Sequence, residues 1–164
     1  MRRVRRRVRA RRPEKRGGNN VSLRSKSREF AMQMLFQWDM SHQEPKRLEK
    51  NFWRGAKAAD NTREFANELF EGAAKDATAL DELIVKHAEN WKLERMAILD
   101  RAILRLAMHE LRTGDTPPKV VINEAVELAK KFSSEESGAF VNGILDAFRK
   151  TMTTGEAKSS SAGE

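Results

Sequence analysis

Across residues 23–153, apolar side chains return every third or fourth position, the spacing of one face of an α-helix. No apolar–polar alternation runs longer than four residues, so nothing predicts a strand. Breaks in the pattern divide it into seven helices. The first covers about residues 25–40. The second follows Pro45, which suits a first helical turn, to about residue 58. Asn61 or Thr62 caps a third that ends near Lys75, and Asp76 or Thr78 starts a fourth that ends near Ala88. The fifth covers roughly residues 93–112, with a break near Met96. Thr116-Pro117-Pro118 opens the sixth, which ends at Phe132. Ser133 or Ser134 caps the seventh, which ends near Thr151, and Glu136 is spaced for a capping box with Ser133. The expected fold class is all-α.

At about 100° per residue, each helix resolves into faces. In the first, Phe30, Ala31, Met34, Leu35 and Trp38 form the core stripe. Phe36 falls on the opposite side, with Met32 beside it and Arg28 one turn away. An aromatic in that place suits base stacking or a protein contact, or is an ordinary exposed apolar residue. In the sixth helix, Val121, Ala125, Leu128, Ala129 and Phe132 face the core, and Asn123, Glu124, Glu127, Lys130 and Lys131 face away. In the seventh, Val141, Ile144, Leu145 and Phe148 are core, and Phe140 sits on the edge of their stripe. Gly143, mid-helix, points to the close approach of another helix. The fifth helix buries Leu99, Ile103, Leu106, Ala107 and Leu111 and turns Arg101, Arg105, His109 and Arg112 outward. Asp100 and Glu110 project within its apolar sector. Such a carboxylate is paired internally, the default, or marks where the stripe meets a partner.

Charge sharpens this picture. The net charge of +8 over 164 residues is unevenly placed. Residues 1–22 carry ten basic groups against one acid, whereas residues 23–153 carry 21 of each sign. The helical body is neutral, so any nucleic-acid site on it is a local patch. Residues 1–22 lack periodicity and read as a disordered basic arm, residues 23–153 as the helical domain, and residues 154–164 as a disordered tail. No apolar run reaches the ~20 residues of a membrane span, and no apolar segment follows the basic start. The absence of Cys fits a reducing cytoplasm.

Motifs for reaction chemistry are missing. The three histidines, His42, His87 and His109, lie on different elements, and there is no HExxH, so no metal site is expected. No glycine-rich phosphate loop or nucleophile elbow occurs, so neither a cofactor nor a catalytic residue is expected. What remains is a binding protein.

Three stretches together resemble one family: RSKSREFAMQMLFQWD (24–39), LDRAILRLAMHEL (99–111) and PPKVVINEAVELAKKFSSEESGAFVNGILD (117–146). They are similar to NusB, the bacterial transcription antitermination factor. The resemblance spans about residues 23–150 and is weakest over 41–90. It implies two small helical bundles packed across each other, the first three helices in one and the last four in the other. It also implies pairing with NusE, a small-subunit ribosomal protein, and binding of the pair to boxA, a single-stranded element in nascent ribosomal RNA. Such a complex assists read-through by RNA polymerase and ribosomal RNA maturation. By resemblance, Arg24, Lys26 and Arg28 contact RNA, in a basic run here interrupted by Ser25 and Ser27. Phe36 matches a first-helix aromatic, often Tyr, at the RNA and NusE surface. Asp100 matches an acidic residue on the surface that meets NusE and RNA, and Glu136 and Phe140 match residues of the RNA-binding face.

Two competing readings have distinct consequences. A similar helical domain begins a ribosomal RNA cytosine methyltransferase, but that enzyme needs an α/β cofactor domain after it. A helical interaction module, such as a homodimer without RNA binding, would sediment as a dimer indifferent to boxA. The arginine run lies upstream of the family's usual beginning. A bacterial GTG start at Val21 would remove it.

Overall fold

The computed structural model describes the backbone of residues 16–89 and 91–160 and the side chains of residues 23–89 and 91–153. Among the described residues there are seven α-helices and no strand: α1 (Arg16–Ser41), α2 (Pro45–Gly55), α3 (Asp60–Lys75), α4 (Ala77–His87), α5 (Ile98–Thr113), α6 (Pro118–Phe132) and α7 (Glu135–Ser160). A 3-10 turn, Leu93–Arg95, precedes α5, and the chain is extended at Met96, where the pattern predicts a break. α1 starts earlier and α7 ends later than expected, so residues 16–22 and 154–160 are helical where the composition predicts disorder. The remainder of the expected arm and tail, residues 1–15 and 161–164, lies outside the described residues.

Local signals explain several boundaries. The Glu44 carboxylate accepts the backbone N–H groups of Lys46 and Arg47 at 3.1 Å each, ahead of Pro45. α5 stops at Gly114, whose φ of 74° suits a residue without a Cβ. Ser134 caps α7 by accepting the Ser137 N–H at 3.1 Å. Glu136 is therefore not in a capping box with Ser133, and its side chain is left exposed.

α1 packs against α2 and α3, and α6 and α7 pack against each other. α5 touches α1, α3, α4, α6 and α7, joining the two groups of helices through one continuous core. Ten of its 16 residues are buried, which makes it the axis of the fold. Met34, Leu35, Phe70, Leu80, Ile84, Ile103, Leu104, Met108 and Leu145 are fully enclosed. Burial of each large apolar side chain contributes about 1.5–3 kcal/mol. Phe30, Phe52 and Trp53 meet edge to face at 5.0–5.9 Å and close the first group, and the Trp53 indole N–H donates to Asn67 at 2.8 Å.

Several faces differ from the helical wheels. Met32 is buried rather than beside an exposed patch. Phe132, placed in the core by its spacing, is exposed, because it ends α6 at the turn into α7. Gly143 faces open space, with nothing within 4 Å of the point a Cβ would occupy, so no helix approaches it. The close approach occurs instead at Gly72 in α3, where a Cβ would overlap the His109 ring.

Candidate nucleic-acid interface

The turn into α5 and the start of α7 enclose a cleft of about 290 Å³. Its principal walls are Trp91, Arg95, Asp100, Glu136, Ser137 and Phe140. Trp91 is 53% exposed, and its ring meets that of Phe140 at 5.4 Å with planes 62° apart. Five of these walls have a local cause. The 3-10 turn holds Arg95, the first turn of α5 carries Asp100, and the Ser134 cap starts α7 so that Glu136, Ser137 and Phe140 fall in its first turns.

Asp100 lies at the protected side of this cleft, only 6% exposed. Ser137 donates its hydroxyl hydrogen to Asp100 Oδ2 at 3.1 Å, and Ser133 lies 2.8 Å from the Ser137 oxygen. Asp100 Oδ1 is buried without a hydrogen-bond partner. Burial raises the Asp100 pKa above the ordinary aspartate value, and the Ser137 hydrogen bond offsets part of that rise. Of the two carboxylates in the apolar sector of α5, Asp100 thus has one unfilled acceptor. Glu110 is satisfied internally.

Glu110's partner is Arg28. Their bidentate pair spans 2.7 Å at both contacts, and each side chain is 4% exposed. This corrects the reading of Arg28 as an RNA contact: its guanidinium is enclosed by the core, facing Glu110 and, at 4.0 Å, Glu124. Arg24 and Lys26 do lie on the surface. Arg24 stacks over Phe65 at 4.9 Å, and Lys26 pairs with Glu29 at 3.1 Å while lying 5.0 Å from the centre of the Phe30 ring.

Phe36 is 38% exposed, as its wheel position predicts. Neither it nor Arg24 nor Lys26 lines the cleft. One turn beyond Phe36, Asp39 binds Arg101 and, at 3.2 Å, Arg105. Arg105 also grips Asp81 of α4 through contacts of 2.6 and 2.7 Å. Burial pushes the Asp39 pKa up, but the two arginines outweigh it and hold the carboxyl below its usual range. This network ties the exposed face of α1 to the helix that carries Asp100. It also buries Arg105, which the wheel turns outward.

Sequence reasoning missed Trp91 and Arg95. The available signal was a tryptophan in a polar connection, Asn90-Trp91-Lys92, outside any apolar stripe.

An aromatic cleft with an unfilled acceptor and Arg95 in its wall, on a neutral helical body, suits an all-α recognition protein. The chain belongs to the NusB family, whose model matches residues 25–150. It is 48% identical over 142 residues to the transcription antitermination protein NusB of Koribacter versatilis, an alignment covering 85% of this chain and 97% of that one. Among solved structures it is similar to T. maritima NusB, with a TM-score of 0.69, 34% identity, and coverage of 77% of this chain and 90% of the other. It is also similar to the structure of antitermination factors NusB and NusE in complex with dsRNA. There the TM-score is 0.71 at 31% identity, over 79% of this chain and 98% of the other.

Proposed function

We propose that this protein is a transcription antitermination factor that acts with NusE on boxA RNA in nascent ribosomal RNA transcripts. Bound there, it promotes read-through by RNA polymerase and ribosomal RNA maturation. The observation that carries this reading is the 48% identity to an antitermination protein across 97% of that relative. The similar solved complex of NusB, NusE and dsRNA supports NusE and RNA as the kinds of partner. The working body is residues 23–153, and its place of action is the cytoplasm, where transcription occurs.

The geometry supports a division of labour. Arg24 and Lys26 hold phosphates, which positions the strand without reading it. Phe140, with Glu136 beside it, meets unstacked bases at the cleft, the mode by which proteins read single-stranded RNA. Phe36 presents an apolar contact to NusE or to a base, and Asp100 contributes from the first turn of α5. The body carries 21 basic and 21 acidic groups, so alone it attracts RNA modestly, and NusE completes the binding surface.

Transcription in vitro tests this. A template with boxA upstream of a terminator is transcribed with the protein and NusE, and read-through is compared with that from a scrambled boxA. Higher read-through on the boxA template is expected. Equal read-through on both overturns the proposal.

A further inference from the structure

We propose that the cleft between α1 and the first turn of α3 binds a phosphate group. This cleft shares no residue with the one at Trp91. The inference goes beyond the contact proposed for Arg24 by bringing in a second helix, and it stands whether the phosphate is a free ion or part of a strand.

The cleft holds about 180 Å³ and is lined by Leu23, Arg24, Ser27, Asn61, Thr62 and Phe65. Ser27 builds it. Its hydroxyl lies 2.9 Å from the Thr62 carbonyl oxygen and 3.0 Å from that of Leu23, sharing one hydrogen between them and holding α1 against the start of α3. The starting observation is Thr62. The residue is only 4% exposed and lines the cleft, yet its hydroxyl has no hydrogen-bond partner among the described residues. An unfilled polar group at that depth is costly, and a ligand that accepts from it removes the cost.

The other open groups on the wall are donors too. Asn61 Oδ1 accepts the Thr62 backbone N–H at 2.9 Å, which leaves the Asn61 amide NH2 as the free end. The Arg24 guanidinium rests over the Phe65 ring at 4.9 Å, and no carboxylate among the described residues pairs with it. Ala59, the N-cap of α3, has no side chain to accept the opening N–H groups, and the helix dipole adds partial positive charge there. Asp60 sits in the same turn but does not line the cleft, and neither does any other carboxylate. Donors from two helices with no opposing acid specify an anion. A phosphate presents at least three oxygens to them, a carboxylate only two. The volume is below that of pockets for larger ligands, so the cleft takes the phosphate group and not a whole nucleotide.

The test follows the amide resonances of the full-length protein by NMR. Inorganic phosphate, titrated against chloride at constant pH and ionic strength, is expected to move the Asn61 and Thr62 amides saturably. Thr62→Val removes the hydroxyl and keeps the shape. It should weaken phosphate binding about tenfold, the scale of one hydrogen bond to a charged group, and Thr62→Ser should restore it. Thr62→Val should also melt no lower than the wild type, because its hydroxyl has no partner to lose. Arg24→Gln, at the surface, should weaken binding by a similar factor without unfolding the protein. A second titration uses boxA RNA with NusE. RNA that moves the same amides and releases the bound phosphate identifies the strand backbone as the source. RNA that binds and leaves the phosphate in place identifies the free ion.

The inference is overturned if neither ligand moves these amides saturably, if chloride or acetate does so as well as phosphate, or if Thr62→Val and Arg24→Gln bind like the wild type. A protein that fails in this way yet binds boxA keeps the proposed function. One that binds phosphate here and not boxA keeps this site and loses that function.

Discussion

Replacing Arg28 separates a structural cation from an RNA-binding one. Arg28 and Glu110 are each 4% exposed and joined by two contacts of 2.7 Å. Ile103, Leu106, Val121 and Leu128 line the space around the pair, so these neighbours offer the carboxylate no cation in place of Arg28. Arg28→Ala leaves the Glu110 carboxylate buried and unpaired, a loss of about 3–5 kcal/mol. For a chain of this size each kcal/mol shifts the thermal midpoint by roughly 2–4 °C, so a drop of roughly 6–20 °C is expected. Arg28→Met combined with Glu110→Leu removes both charges and should recover most of the loss. Arg24→Ala, at the surface, should change stability by no more than about 0.5 kcal/mol. Calorimetry and urea unfolding measure these effects, and boxA binding is measured below the midpoint of each variant. An Arg28→Ala protein that melts with the wild type yet loses RNA affinity would return Arg28 to the RNA surface.

Three further outcomes follow from local geometry. Gly72→Ala drives a methyl into the His109 ring and should cost about 1–3 kcal/mol, with partial rescue by His109→Ala. Gly143→Ala meets open space within α7 and should stabilise by about 0.5–1 kcal/mol, read as a higher midpoint in calorimetry. Burial, reinforced by the neighbouring Glu71 carboxyl, pushes the Glu49 pKa up from 4.5 to about 8. The folded protein therefore holds a proton that the unfolded chain releases. That contribution is complete below about pH 4.5 and is lost as pH rises through 8, so melting should fall over that window, and Glu49→Gln should flatten the slope.

Periodicity is enough to place the helices and the apolar stripe of α5, because both are local properties of the chain. What it cannot place is the partner of each charged side chain. Arg28 meets Glu110 across 82 positions, Arg101 meets Asp39 across 62, and Arg105 meets Asp81 across 24. A wheel drawn on one helix treats such cations as solvated, so it leaves Arg28 and Arg105 outward when packing turns them inward. Phe36 is legible because no other element covers enough of it to hide the ring. Asp100 stands out because a carboxylate in an apolar sector is anomalous whatever packs against it. Trp91 is not legible in this way, because its role depends on Phe140, brought to it from a distant part of the sequence.

In the proposed function, RNA recognition is shared between this neutral body and NusE. The most direct measurement is the dissociation constant for boxA RNA, by gel shift or anisotropy, with and without saturating NusE at fixed salt, with scrambled RNA as control. NusE is expected to tighten boxA binding more than tenfold, about 1.4 kcal/mol of coupling, with a smaller effect on the scrambled strand. Equal boxA affinity with and without NusE would contradict the account.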